Sequence, residues 1–173
     1  MGLAAFIQTH ENEIVEEWET FAQKCKPAAD QMNRSMLRDH IRDLLRSIVN
    51  NLRVPPLTEK VLEEKAEGIL PKEKYDSAAL THGEIRWMVG FNEVQVHLEF
   101  CALRAGIIKL WSNEWIKSNR EWSTPAEIIP ELIILNEAID KLVSDSLSSY
   151  IESARQSNSA RAPLTTSESM LQY

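Results

Sequence analysis

The chain has 173 residues, of which 43% are hydrophobic and 26% charged, with a formal charge of −7 and a pI near 5.2. That length suits one domain with a substantial core, and the acidity argues against a nucleic-acid surface or an anionic membrane as partner. The opening MGLAAFIQTHENE lacks the basic start and apolar core of a secretory signal, and no apolar run reaches the roughly 18 residues of a spanning helix.

Only five glycines, and no alternation of strand period, predict an all-α protein of about five to six helices, globin-like or a bundle. The first helix is expected from about Leu3 to Lys24, with Ile7, Ile14, Trp18 and Phe21 on one face, and Pro27 ends it. The second is the clearest: Leu37, Ile41, Leu44, Leu45, Ile48, Val49 and Leu52 repeat at three and four residues. Asn33 or Ser35 caps its start, and Pro55-Pro56 closes it. Thr58 to Gly68 reads as a short polar helix, and residues 71–76 as a connection. Asp76 or Ser77 then caps a helix containing HGEIRWM, which Gly90 ends.

From Asn92 to about Lys117 the pattern is apolar on two sides. Phe91, Val94, Leu98, Cys101, Ala105 and Ile108 make one stripe; Val96, Phe100, Leu103, Ile107, Leu110 and Trp111 make the other. Such a helix is expected at the hub of the fold, packed on both faces. Trp115 and Trp122 flank a short loop, and Thr124-Pro125 with Glu127 starts a long final helix. Pro130 predicts a bend or an irregular turn there. Ile128, Leu132, Leu135, Ile139 and Leu142 step four and three, a coiled-coil-like seam that points to self-association. After Arg155 the chain turns rich in Ser, Thr and Asn. The expected organisation is therefore a helical domain over 1–155 and a flexible tail over 156–173.

Enzyme signatures are scarce. There is no glycine-rich phosphate loop, GxSxG, HExxH or Cys-x-x-Cys. His10, His40, His82 and His97 include no two at a spacing that offers a metal two imidazoles on one turn, and no metal or cofactor is expected. Cys25 and Cys101 lie far apart in helical patterns, which favours reduced thiols and a cytoplasmic protein. The informative residues are polar groups in apolar helices: His82 and Arg86 on one, and Glu99, Arg104 and His97 on the next. Buried charges are costly unless paired, so these groups should meet across a helix interface. The first reading is a buried network that fixes helix register. The alternative is a polar pocket around His82 and Arg104, in a small-molecule or haem-binding carrier or sensor.

The ordered set LRDHIRDLL (37–45), HGEIRWMVGF (82–91), LEFCALRAGIIKLW (98–111) and LNEAIDKLVSDSLSSY (135–150) resembles the RsbRD-type N-terminal input domain. That module stands at the front of bacterial sensor histidine kinases and stressosome co-antagonist proteins. The kinase-linked pattern is His, Arg four residues on, Gly-Phe, Glu-aromatic, Leu-Arg, Leu-Trp and Asn-Glu-Ala-Ile-Asp. It falls here on His82, Arg86, Gly90-Phe91, Glu99-Phe100, Leu103-Arg104, Leu110-Trp111 and Asn136 to Asp140. Trp18 with Phe21-Ala22, and Asp39-His40, also fit, so the likeness spans most of residues 3–152. His97 and Cys101 depart from it, standing where an aliphatic and a basic residue are expected. The resemblance implies a non-catalytic, usually dimeric, helical input domain that feeds a kinase or other effector. No phospho-acceptor motif follows Tyr150, so an effector in cis and one in trans both remain open.

Overall fold

The first apolar segment divides in two. The computed structural model describes residues 1–53, 76–117 and 124–161, and in it helices α1 (Leu3–Thr9) and α2 (Glu11–Ala22) meet at His10. The His10 ring stacks on Phe6 at 4.3 Å, so a local aromatic contact accompanies the break where the single helix over Leu3–Lys24 was expected. Leu3, Phe6 and Ile7 from α1, and Ile14, Val15, Trp18 and Ala22 from α2, are buried. A 3₁₀ turn at Ala28–Gln31 follows Pro27 and carries the chain to the buried Met32.

Helix α3 (Arg34–Leu52) buries the expected face, Leu37, Ile41, Leu44, Leu45, Ile48 and Val49. It begins directly after Asn33, which therefore stands at its N-cap position. The closure at Pro55-Pro56, the helix from Thr58 to Gly68, the connection from Pro71 and Trp122 lie outside the described residues.

Helix α4 (Ser77–Met88) is capped by Asp76, whose carboxylate accepts the N–H groups of Ala78 and Ala79 at 3.0 and 3.1 Å. Its other end closes on Gly90 at φ +87°. There the Phe91 N–H reaches the Arg86 carbonyl at 2.9 Å and the Gly90 N–H reaches Trp87 at 3.1 Å. This six-to-one and five-to-two pair needs a left-handed residue at position 90, and glycine adopts that conformation without a Cβ penalty.

Helix α5 (Glu93–Lys117) opens on a reciprocal box, with Asn92 Oδ1 accepting from the Gln95 N–H and Gln95 Oε1 from the Asn92 N–H. Helix α6 (Pro125–Arg161) has 37 residues, about 55 Å of rise. Glu127 reaches back to the Thr124 N–H at 2.9 Å, and the helix continues through Pro130. It also runs six residues past Arg155, the expected edge of the tail, since 156–161 contains neither Gly nor Pro to stop it.

Packing assigns the centre differently from the apolar pattern. Helix α6 touches α3, α4 and α5, and its contact with α4 is the most extensive in the fold. Among the described residues, helix α5 packs by one face. Val96, Phe100, Leu103, Ile107 and Trp111 are buried against α2 and α6, whereas Val94 and Leu98 stay 64% and 43% exposed. The hub is α6, because small residues on α4 admit it closely. The α6 seam is likewise used inside the protomer: Leu135, Ile139 and Leu142 are core residues, with Ile128 and Leu132 packed on them. Leu135, Ile139 and Leu142 are thus unavailable as an intermolecular zipper. The described residues form six α-helices and no strand, an all-α bundle with a long C-terminal helix. No helix among them is long and apolar enough to cross a membrane.

Candidate functional site: a buried polar clasp

On α4, His82 and Arg86 are four residues apart and so share a face. The corner at Gly90-Phe91 turns the chain so that the second turn of α5 brings Glu99 beside them. The three side chains are at most 1% exposed, and Arg86 is fully buried. The Arg86 Nε donates to both Glu99 oxygens, at 2.8 Å to Oε2 and 3.1 Å to Oε1. His82 Nε2 lies 3.2 Å from Glu99 Oε2.

An apolar shell surrounds this ion pair. The Arg86 guanidinium carbon lies 4.9 Å from the Phe91 ring centre and 5.6 Å from that of Trp18, and its Nη1 meets Met32 Sδ at 3.3 Å. His82 packs edge-on against Phe100 at 5.2 Å. Cation–π contacts of this kind are stronger away from water. The corner is pinned by Tyr150, whose hydroxyl donates to the Phe91 carbonyl at 2.7 Å.

Burial, then the Arg86 charge, hold the His82 pKa below its ordinary 6.5 against the pull of Glu99, so the ring is neutral at physiological pH. Burial alone would raise the Glu99 pKa, but Arg86 and then His82 outweigh it and keep the carboxyl below its usual range. Burial, and next the Glu99 charge, push the nearby Cys25 thiol upward. The clasp is thus an ionised Arg–Glu pair beside a neutral imidazole. Its groups face one another and the core, and all three are buried.

Two expected members lie elsewhere. Arg104 is five residues from Glu99, about 140° further round α5, and pairs with Asp140 on α6 near the surface. His97 is exposed and lies 3.4 Å from Cys101 on the outer face. Arg104 and His82 therefore do not line one pocket. Three surface grooves, between α1–α2 and α3, between α3 and α4, and between α4 and α6, are lined by none of the clasp residues.

Several members escaped the residue pattern. Met32, Trp18 and Phe91, which enclose the guanidinium, look like ordinary core residues in sequence. Glu19 is 3% exposed and accepts from Arg38 Nε at 2.7 Å and Gln23 Nε2 at 2.9 Å; the i, i+4 spacing with Gln23 was its available signal. Asp145, buried on α6, accepts from the Asp76 N–H at 2.8 Å and from Lys141 at 2.7 Å. Beside it Gly83 lies so near α6 that a Cβ there would sit 1.9 Å from the Ser146 carbonyl oxygen. The helix holding the clasp is therefore in backbone contact with the longest helix of the fold.

Among the described residues no group of three or more His, Cys, Asp or Glu is placed to hold a metal ion. The fold and site define an all-α bundle built around a buried ion pair. No family model matches the chain, and neither a curated protein nor a solved structure does.

Proposed function

We propose that the chain is a non-catalytic sensory input domain of a cytoplasmic bacterial signalling protein, of the RsbRD type its motifs resemble. It works as a homodimer and feeds a histidine kinase or similar effector, in cis or in trans. The observation that carries this reading is the direct seat of Gly83 on the Ser146 carbonyl. A rearrangement of His82, Arg86 and Glu99 moves α4, and α4 has no slack through which to move without α6. Beyond Tyr150 no described residue of α6 is buried, so its last turns are free to carry the displacement to an effector. The mechanism is a two-state repacking biased by a ligand or partner.

The dimer face in this reading is the unpartnered side of α5 with the start of α6. Val94, Leu98, Ile129 and Ile133 are each more than 40% exposed there. Joining the chain after Arg155 to a histidine-kinase catalytic module, with zero to seven residues inserted at the junction, tests the transmission. Autophosphorylation is expected to rise and fall with the helical phase of the insert. Activity indifferent to phase, or a chain that sediments as a monomer at millimolar concentration, refutes the proposal.

A further inference from the structure

Helix α5 carries a second polar pair that the clasp does not use. His97 and Cys101 are four residues apart, one turn above each other, and the His97 Nε2 points at Cys101 Sγ from 3.4 Å. A tetrahedral zinc ion, with Zn–N near 2.0–2.1 Å and Zn–S near 2.3 Å, sets its nitrogen and sulfur about 3.6 Å apart. The pair thus already has the bite of one edge of a zinc tetrahedron. Cys101 lies on the outward stripe of α5, where Val94, Leu98, Cys101, Ala105, Ser112 and Ile116 fall within an arc of about 60° and none is charged; His97 stands about 40° beyond one edge of it and Lys109 about 20° beyond the other.

One protomer supplies two ligands, and a structural zinc takes four. We propose that the outward faces of α5 from two copies of this chain pair about a two-fold axis, and that their His97 and Cys101 side chains close a Cys₂His₂ site for zinc. The site rests on the dimeric reading above, because neither copy completes it alone. A second copy is the occupant that the geometry favours. With the axis running along the bundle, like positions face each other. The two Cys101 then form one layer, and the two His97 the layer one turn away. Val94, Cys101 and Ile108 stand at heptad spacing, so the metal layers fall in register with the apolar ones. The same axis sends both α6 helices out in one direction, as transmission requires.

The test uses the full chain, stripped with EDTA and titrated with cobalt(II) and zinc. Cobalt is expected to saturate at one ion per two chains, with a thiolate charge-transfer band and the intense visible bands of a tetrahedral site. Both signals should vanish in Cys101→Ser and His97→Ala and persist in Cys25→Ser. Stoichiometric zinc should tighten self-association at least tenfold in sedimentation. Saturation at one ion per chain, or bands that survive Cys101→Ser, overturns the site. A chain that is dimeric in EDTA, is dissociated by Leu98→Asp and raises no cobalt bands refutes the metal site alone. A chain that stays monomeric under saturating zinc refutes the site and the dimer together.

Discussion

Replacing Glu99 with Gln keeps the shape of the clasp and removes its negative charge. Arg86 is fully buried, and both of its bonds to a charged acceptor go to Glu99. What remains around the guanidinium is the Met32 sulfur and the faces of Trp18 and Phe91. Taking one partner from a buried ion pair costs about 3–5 kcal/mol, because the other charge stays desolvated and uncompensated. Domains of this kind have about 5–15 kcal/mol of total stability, so the variant keeps its fold with a large share of the margin gone. In urea unfolding followed by circular dichroism, with a slope of about 2 kcal/mol/M, the midpoint should fall by about 2 M. The double replacement Arg86→Met with Glu99→Leu should be more stable than Glu99→Gln, since it removes both charges and fills the space. A midpoint for Glu99→Gln within experimental error of wild type, or a double variant worse than either single one, would refute the clasp as a buried ion pair.

The remaining expectations follow from the same contacts. Gly83→Ala drives a methyl into the Ser146 carbonyl and should cost about 3 kcal/mol or more in urea unfolding, at the upper end for overpacking. Gly90→Ala meets open space but a φ of +87°, and should cost only about 1–2 kcal/mol. Tyr150→Phe leaves the Phe91 carbonyl without its buried donor and should cost about 1–3 kcal/mol. For pH, the folded His82 binds its proton more weakly than the unfolded chain, whose value is near 6.5. Its contribution is therefore complete above that value and is lost as pH falls toward the folded pKa, with a limiting slope of about 1.4 kcal/mol per pH unit. Glu99, also held low, adds a loss in the same direction at more acidic pH, below its ordinary 4.5. Urea midpoints between pH 7.5 and 5 should decline in wild type and flatten in His82→Gln; equal slopes would show that His82 is not the titrating group.

Legibility in the sequence tracked how local the cause was. The α3 face, the Asp76 cap, the Gly90-Phe91 corner and the Thr124–Glu127 start all rest on contacts within a turn or two, and each is read from spacing. The core of the clasp was legible for a different reason: His82, Arg86 and Glu99 interrupt apolar faces, and buried charges must find partners. Arg104 obeys the same rule through another partner, Asp140, because 140° of helix separates it from Glu99. The apolar seam of α6 showed which residues seek burial but not whose surface buries them. Leu135 and Ile139 find it within their own chain, whereas Val94 and Leu98 on α5 stay exposed. The division of the first segment at His10 has no Gly or Pro to announce it and comes with a ring stacked on Phe6.

The centre of the clasp and its surroundings are held by contacts of different kinds. The Arg86 guanidinium is bonded to Glu99 through Nε and meets the Met32 sulfur through Nη1, and the neutral His82 ring stands 3.2 Å from Glu99 Oε2. Two aromatic faces and a thioether hold the rest of the guanidinium, and such contacts constrain its orientation less than paired hydrogen bonds do. The contacts outside the clasp are of the opposite kind. Gly83 abuts backbone, Tyr150 ties the corner, and Asp145 joins the start of α4 to α6. On the signalling reading proposed above, a rearrangement of Arg86 and Glu99 would therefore reach α6 through stiff contacts rather than be absorbed between the helices.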